Sequence, residues 1–303
     1  MAVQPPVLVV YFNRPEVLER TLRALAEFRP AEVYLASDGP RTTHQDDALL
    51  IARCHNTVRR IVTWDCTIRT LHADRNHGCD VWVPAAITWL FQQVDRGIIL
   101  EDDCIISEEY YKFAAEMLET YRDDPRVMSI SAANFHRRRW GDGDYFMSRY
   151  PLCWGWATWR AAWAEYDPVL RRLDELLKGD LERILPTREE RRFWTRFFRR
   201  LRGGRHTFWD AKWVYSMWLA DGVSISPNYN LVSNIGYGSE ATHTTYKVEG
   251  MEAAIAPMPF PLHPPASEGV VAEADTHLFR TRFRPTIFGR MAALWQRIGR
   301  RLA

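Results

Sequence analysis

The chain has no CxxC pair, and its five cysteines, Cys54, Cys66, Cys79, Cys104 and Cys153, are scattered and odd in number. That argues against a disulfide frame or a zinc site and fits reduced thiols in a cytosolic protein. No stretch approaches the roughly 20 consecutive apolar residues that a membrane span needs. The N-terminus, MAVQPPVLVVYF, has no charged n-region and no long apolar h-region. A cytoplasmic protein is therefore expected. One-sided charge is missing too. The net charge is only +2, yet Arg280–Ala303 carries seven arginines and no acid, which leaves the remainder at −5. A uniformly basic nucleic-acid binder does not look like this. Glycine is absent from FNRPEVL (Phe12–Leu18), the turn after the first apolar run, which counts against a glycine-rich phosphate loop there. Internal repeats and low-complexity blocks are absent as well.

What is present is an ordinary soluble composition, 47% hydrophobic and 26% charged over 303 residues, with ample material for a core. The 13 tryptophans are the exception, and they suit either a thick aromatic core or stacking on sugars and bases. Val7–Phe12 reads as a buried strand, Glu16–Glu27 as a helix, Val33–Ser37 as a strand, Asp46–Cys54 as a helix and Arg60–Trp64 as a short strand. Val81–Val94 reads as a helix with Pro84 in its first turn, followed by the strand Gly97–Leu100. Such alternation predicts a doubly wound, mostly parallel sheet flanked by helices. Glu108–Arg122 then reads as a helix and Val127–Ala132 as a strand. Leu170–Arg202 is expected to be mostly helical, Trp209–Leu219 an aromatic helix, Val223–Asn234 a hairpin or loop pair, and Pro257–Pro265 extended.

The run GIILEDDCII (Gly97–Ile106) places Glu101, Asp102 and Asp103 at the carboxyl end of an apolar strand. Three adjacent carboxylates need a compensating cation or strong donors, and strand ends are where ligands bind in such sheets. A hard divalent cation shared with phosphate oxygens would serve; an acidic turn opening a helix is the alternative. Asn13-Arg14, Asp38-Gly39 and Asn76-His77-Gly78 also follow strands, so all four clusters could share one crevice. Asn13 and Arg14 offer donors for a base or phosphate, Asp38 can accept from a base or ribose, and Gly78 permits close backbone approach to a diphosphate. Each on its own is also ordinary turn chemistry.

Together GIILEDDCIISEEYYKF, VMSISAANF (Val127–Phe135), PLCWGWATWRAAW (Pro151–Trp163), FWDAKW (Phe208–Trp213) and GSEATHT (Gly238–Thr244) resemble the glycosyltransferases of the GT-A fold. The likeness is to bacterial family-2-like enzymes and to the N-acetylglucosaminyltransferase I group, and spans about Val7 to Thr244. It implies a Rossmann-like α/β domain that takes a nucleotide-diphosphate sugar, UDP-linked by expectation. It further implies Mn²⁺ or Mg²⁺ on Asp103 and donor contacts at Glu101 and Asp102. Asp210 maps onto the family's general base, although Ala211 stands where related sequences have a second acid. His243 falls where related enzymes close a loop over the donor, as a metal or diphosphate contact. Without the resemblance, Asp210 reads as a helix cap and His243 as a surface residue. Trp154, Trp156 and Trp159 read either as core or as an acceptor platform; Trp154 and Trp156 are the acceptor candidates.

Arg188–Arg205 interleaves eight arginines with Phe193, Trp194, Phe197, Phe198 and Leu201, as in a solvated amphipathic helix or a clamp on an anionic acceptor. In the tail from Thr286 to Ala303, Ile287, Phe288, Met291, Leu294, Trp295, Ile298 and Leu302 recur at helical spacing between arginines. That is the profile of a helix lying on an anionic membrane, or docked on the body or a second subunit. The expected organisation is a nucleotide-sugar-binding half over 1–134, an acceptor-side and catalytic-base half of the same GT-A domain over 135–250, and an extended segment with a basic helix over 251–303. The expected reaction is inverting, metal-dependent sugar transfer to a hydroxyl of a cell-surface glycan or lipid-linked acceptor, with the protein peripheral on the inner membrane face and no nucleic-acid partner. A nucleotidyltransferase or phosphohydrolase, or a non-catalytic carbohydrate-binding protein, are the alternatives.

Overall fold

The computed structural model describes residues 4–236 and 254–284. The elements in order begin β1 (Val7–Tyr11), α1 (Pro15–Phe28), β2 (Glu32–Ser37), α2 (Asp47–Ile61), β3 (Thr67–His72), α3 (Cys79–Phe91), β4 (Arg96–Glu101), β5 (Cys104–Ile106) and α4 (Glu108–Thr120). They continue with β6 (Val127–Ser131), β7 (Tyr145–Ser148), β8 (Trp156–Trp159), the short helices α5 (Arg160–Trp163), α6 (Leu173–Glu175) and α7 (Leu181–Ile184), the last two joined by a π-helical turn (Leu176–Asp180), and α8 (Arg188–Arg202). Last come α9 (Trp209–Leu219), β9 (Val223–Pro227), β10 (Val232–Asn234) and α10 (Ala272–Leu278).

Eight strands form one mixed sheet in the order β3-β2-β1-β4-β8-β6-β9-β7. The β3-β2-β1-β4 half is wholly parallel; β8 enters antiparallel to both β4 and β6, and β7 closes the far edge antiparallel to β9. This is the expected α/β architecture, with a sheet that also carries antiparallel strands. Strand β1 is buried on both faces, as its unbroken apolar run requires. Val7 and Val9 meet Leu18, Leu22 and Leu25 of α1 on one side. Leu8 and Val10 meet Trp82, Ala86 and Leu90 of α3, with Trp209 and Trp213 of α9, on the other. Because α1 and α3 leave the sheet on opposite faces, a crevice opens beyond the carboxyl ends of β1 and β4, where the strand order reverses. A third cluster joins α8, the outer side of α9 and α10 around Trp194, Phe198, Tyr215 and Trp218.

Three expectations need correction. Arg60 and Ile61 end α2 rather than begin a strand; the strand lies later, at Thr67–His72, on an edge where most side chains are exposed and so carry little hydrophobic signal. The segment Val223–Asn234 is no hairpin: β9 pairs with β6 and β7 in the main sheet, while β10 pairs with β5 in a separate two-stranded sheet. By contrast, Leu170–Arg202 is mostly helical as expected: Leu173–Ile184 is helical without a break, and Arg188–Arg202 follows, started by the Thr187–Glu190 capping box just after Pro186. Finally, Asp102 and Asp103 open no helix. They form the tight turn between β4 and β5, and α4 begins only at Glu108 with Ser107 as its cap. Among the described residues no helix is long and apolar enough to cross a membrane.

Candidate active site

The carboxyl ends of β1, β2, β3 and β4 surround a cavity of about 450 Å³, within the size range of small-ligand sites. Its wall includes Asn13, Arg14, Asp38, Asn76, Gly78, Glu101, Asp102, Asp103, Trp154 and Asp210, so the four strand-end clusters and the two later candidates converge on one space.

The acidic triplet is held by Arg14, which donates to both carboxylate oxygens of the buried Asp102 and, at 2.9 Å, to Oδ2 of Asp103. Thr21 of α1 fixes the Asp102 carbonyl at 2.6 Å. Asn234 of β10 donates to Oδ1 of Asp103 at 3.2 Å, and the Ile235 amide donates to its carbonyl at 2.9 Å. Gly236 closes this corner. A Cβ there would stand 2.0 Å from Oδ2 of Asp103, so only glycine fits against the carboxylate. Glu101 is half-buried and accepts no side-chain hydrogen bond among the described residues. Burial first, then the negative charges of Asp103, Asp102 and Asp210, push its carboxyl above the usual range. Burial also raises Asp102, against the pull of Arg14.

Two details could not be read from the sequence. Arg14 lines the cavity, and its Nε and Nη2 serve as the counter-charge of the triplet. Asp38 is not an open acceptor: Gly39 N, Asn76 Nδ2, His77 N and Gly78 N all donate to it at 2.9–3.1 Å. It is an anchor that pins the β3–α3 loop beneath the cavity. That leaves Gly78, at φ 78°, in the left-handed region with open space where a side chain would project.

Asp210 lies in the first turn of α9, a helix otherwise almost wholly buried from Trp209 to Trp218. Its carboxylate is exposed and accepts the Ala211 amide at 2.9 Å. The helix's N-cap position is Phe208, so Asp210 does not cap it as the residue-by-residue reading allowed. Trp154 lines the cavity and meets Phe135 edge-on. Trp156 is corrected to core. It is fully buried among Trp163, Trp209 and Trp213 and cannot touch an acceptor. Trp159 is buried as well, its Nε1 donating to the Leu118 carbonyl. His243 lies outside the described residues.

Other residues at and behind the wall were not foreseen. Asp47, buried at the start of α2, accepts from Asn13 Nδ2 at 2.8 Å and from the Arg41 amide and guanidinium at 2.7–3.0 Å. The Arg41 contacts lower its pKa to about 2. The Arg41 guanidinium also sits 5.2 Å over the Phe12 ring, which makes a cationic, aromatic corner beside β1. Behind the cavity Lys212 of α9 pairs with Asp80 in the first turn of α3 at 2.5 Å, tying together two helix starts that both face the cavity. Their separation of 132 residues hid the pair from sequence reading. All five cysteines are free thiols.

For a metal the donor chemistry is suitable but sparse. Asp103 and Glu101 present hard oxygen atoms at the wall. Among the described residues, though, no three His, Cys, Asp or Glu side chains converge as a ready cage. Mg²⁺ and related ions are commonly held by one or two carboxylates and completed by water and substrate phosphates. The residues fit that sharing arrangement.

No protein-family profile matches the chain, and no curated protein matches it in sequence. Some solved structures are distantly similar. HddC from Yersinia pseudotuberculosis is 10% identical over 52% of this chain and 77% of its own, with a TM-score of 0.31. The 4-diphosphocytidyl-2C-methyl-D-erythritol synthase from Anaerococcus prevotii is 13% identical over 65% and 99%, with a TM-score of 0.37. A UDP-glucose pyrophosphorylase in complex with UDP-glucose is 8% identical over 75% and 93%, with a TM-score of 0.35. Likeness this weak carries no argument about chemistry. The named activities are a synthase and a pyrophosphorylase, so the glycosyltransferase resemblance stands on the sequence motifs alone.

Proposed function

We propose that the chain is an inverting glycosyltransferase that moves a sugar from a nucleotide-diphosphate donor, UDP-linked, to a hydroxyl of a cell-surface glycan or lipid-linked acceptor at the inner membrane face. One observation carries this reading: an exposed carboxylate, Asp210, shares a cavity of about 450 Å³ with the acidic end of β4. One group can take a proton while the other holds the charge of a leaving diphosphate.

In this reading the donor's nucleoside lies against the Phe12, Asn13 and Arg41 corner, with its diphosphate between Gly78 and Asp103. Asp103, beside Glu101, would hold Mn²⁺ or Mg²⁺, which when bound would supply neutralising charge for the leaving group. His243 is its further candidate ligand. The acceptor rests on Trp154. Asp210 takes the proton of the acceptor hydroxyl, whose oxygen forms a bond to the anomeric carbon. The bond from that carbon to the phosphate oxygen breaks, and the nucleoside diphosphate leaves with the electron pair. Attack opposite the leaving group inverts the anomeric centre. A nucleotidyltransferase is the weaker reading, since the β1–α1 turn, Phe12–Arg14, offers no glycine-rich phosphate loop.

Asp210→Asn tests the assignment. Transfer should slow by about 10²-fold or more, with donor affinity nearly unchanged. A product that keeps the donor's anomeric configuration would overturn the mechanism.

A further inference from the structure

Helix α8 buries Glu190, Trp194, Phe198 and Leu201 against the third core cluster, at spacings of three and four residues. On the opposite half of its circumference stand Arg188, Arg192, Arg196, Arg199 and Arg200, all exposed. Among the described residues none of the five forms an ion pair. The neighbouring Arg191 and Arg202, by contrast, are taken up by Glu182 and Asp174. Such a concentration of unpaired charge is out of proportion to a net charge of +2. Helix stability does not require it, because like charges three and four residues apart repel.

The helix that carries this face lies close to the cavity. Phe197, on the flank of α8, stacks on His206 and Phe208, and Phe208 lines the cavity wall. It also lies where the described chain ends. Phe279 packs on Phe193, Phe283 on Trp194, and Arg284 pairs with Glu189 at 2.8 Å. The nineteen residues that follow carry four more arginines among seven apolar residues at helical spacing. A soluble polyanion makes no use of apolar residues so placed in the sequence, whereas an anionic lipid surface engages both kinds of residue.

We infer that the arginine face of α8 is a docking surface for an anionic membrane, set so that the cavity opens near the lipid headgroups. Its purpose rests on the lipid-linked acceptor of the proposed reaction. Its test does not, because vesicle binding is measured without donor or acceptor.

The experiment is co-sedimentation of the full chain with phosphatidylcholine vesicles, with and without phosphatidylglycerol. The parent should bind only the anionic vesicles, and about 1 M salt, where the Debye length falls to about 3 Å, should release it. The triple variant R192Q/R196Q/R199Q should bind about 10²-fold more weakly, at roughly fivefold for each arginine. R192K/R196K/R199K should keep most of the binding, which separates lost charge from lost fold. Equal binding by the glutamine variant and the parent, or salt-insensitive binding, would overturn the inference. So would a parent that ignores anionic vesicles while binding inorganic polyphosphate.

Discussion

Arg14→Met removes the one cation that pairs with the triplet among the described residues while keeping most of the side chain's apolar bulk. In the native fold the Arg14 guanidinium spans Asp102 and Asp103, and the side chains of Arg14 and Asp102 are 17% and 4% exposed. Breaking one partner out of a pair this buried costs about 3–5 kcal/mol, because the remaining carboxylate keeps its desolvation penalty. In a chain of this size that lowers the melting temperature by roughly 10 °C. Neutralising the orphan should restore much of the loss, so Arg14→Met/Asp102→Asn should melt above Arg14→Met. Mn²⁺ supplies an independent arm. At a hundredfold its Kd, a cation bound only by the folded state adds about 2.7 kcal/mol, and that gain should be larger in the variant, where Arg14 no longer competes for Asp103. Differential scanning calorimetry with and without Mn²⁺ reads both effects. If Arg14→Met melts with the parent, the triplet is compensated by something else. If Mn²⁺ shifts neither protein, the acidic corner does not take a cation.

Three further outcomes follow from other contacts. Asp275 is buried, accepts from Ser148 Oγ at 2.5 Å and the Arg149 amide at 2.9 Å, and burial raises its pKa from 3.8 to about 7. A raised carboxyl is protonated in the fold but ionised in the unfolded chain between those values, so it loses stabilising effect as pH rises from about 4 to 7. Asp275→Asn should remove that slope and be the more stable protein near neutral pH in urea melts; a parent-minus-variant difference flat in pH would contradict this. Gly236→Ala should displace the Asp103 carboxylate, 2.0 Å from the added Cβ, and weaken donor and Mn²⁺ binding while the melting temperature falls little. Unchanged donor affinity by calorimetry would place Asp103 outside the site. Lys212→Met leaves Asp80 without its partner at the start of α3. It should cost stability at the lower end of about 3–5 kcal/mol, largely regained in Lys212→Met/Asp80→Leu, and additive losses in that cycle would show that the pair is not coupled.

Much of the parallel half was legible because its strands are buried on both faces and therefore read as unbroken apolar runs. β1 and β4 fall within one residue or so of their expected bounds, and α9 matches its expected ends. β3 was misplaced for the opposite reason, since an exposed edge strand such as TIRTLH has no inner face to mark it. The convergence of Asn13, Asp38, Asn76 and Glu101 was readable, since parallel strands share one carboxyl edge. Their individual bonding was not. Nothing local tells that Asp38 is consumed by the 76–78 backbone, or that Arg14 reaches across 88 residues to Asp102. Asp47, Lys212 and Gly236 matter through tertiary contacts alone. Trp156 lies two residues from Trp154 on the same stretch, and only packing sends one into the core and leaves the other at the cavity.

The central claim is that this cavity holds a nucleotide-diphosphate sugar through a cation on Asp103. Titration calorimetry of UDP-sugars into the full chain, with Mn²⁺ and then with EDTA, tests it most directly. Saturable binding that requires Mn²⁺ and disappears in Asp103→Ala is the predicted result. Equal binding in EDTA, or by the folded Asp103→Ala variant, would contradict it.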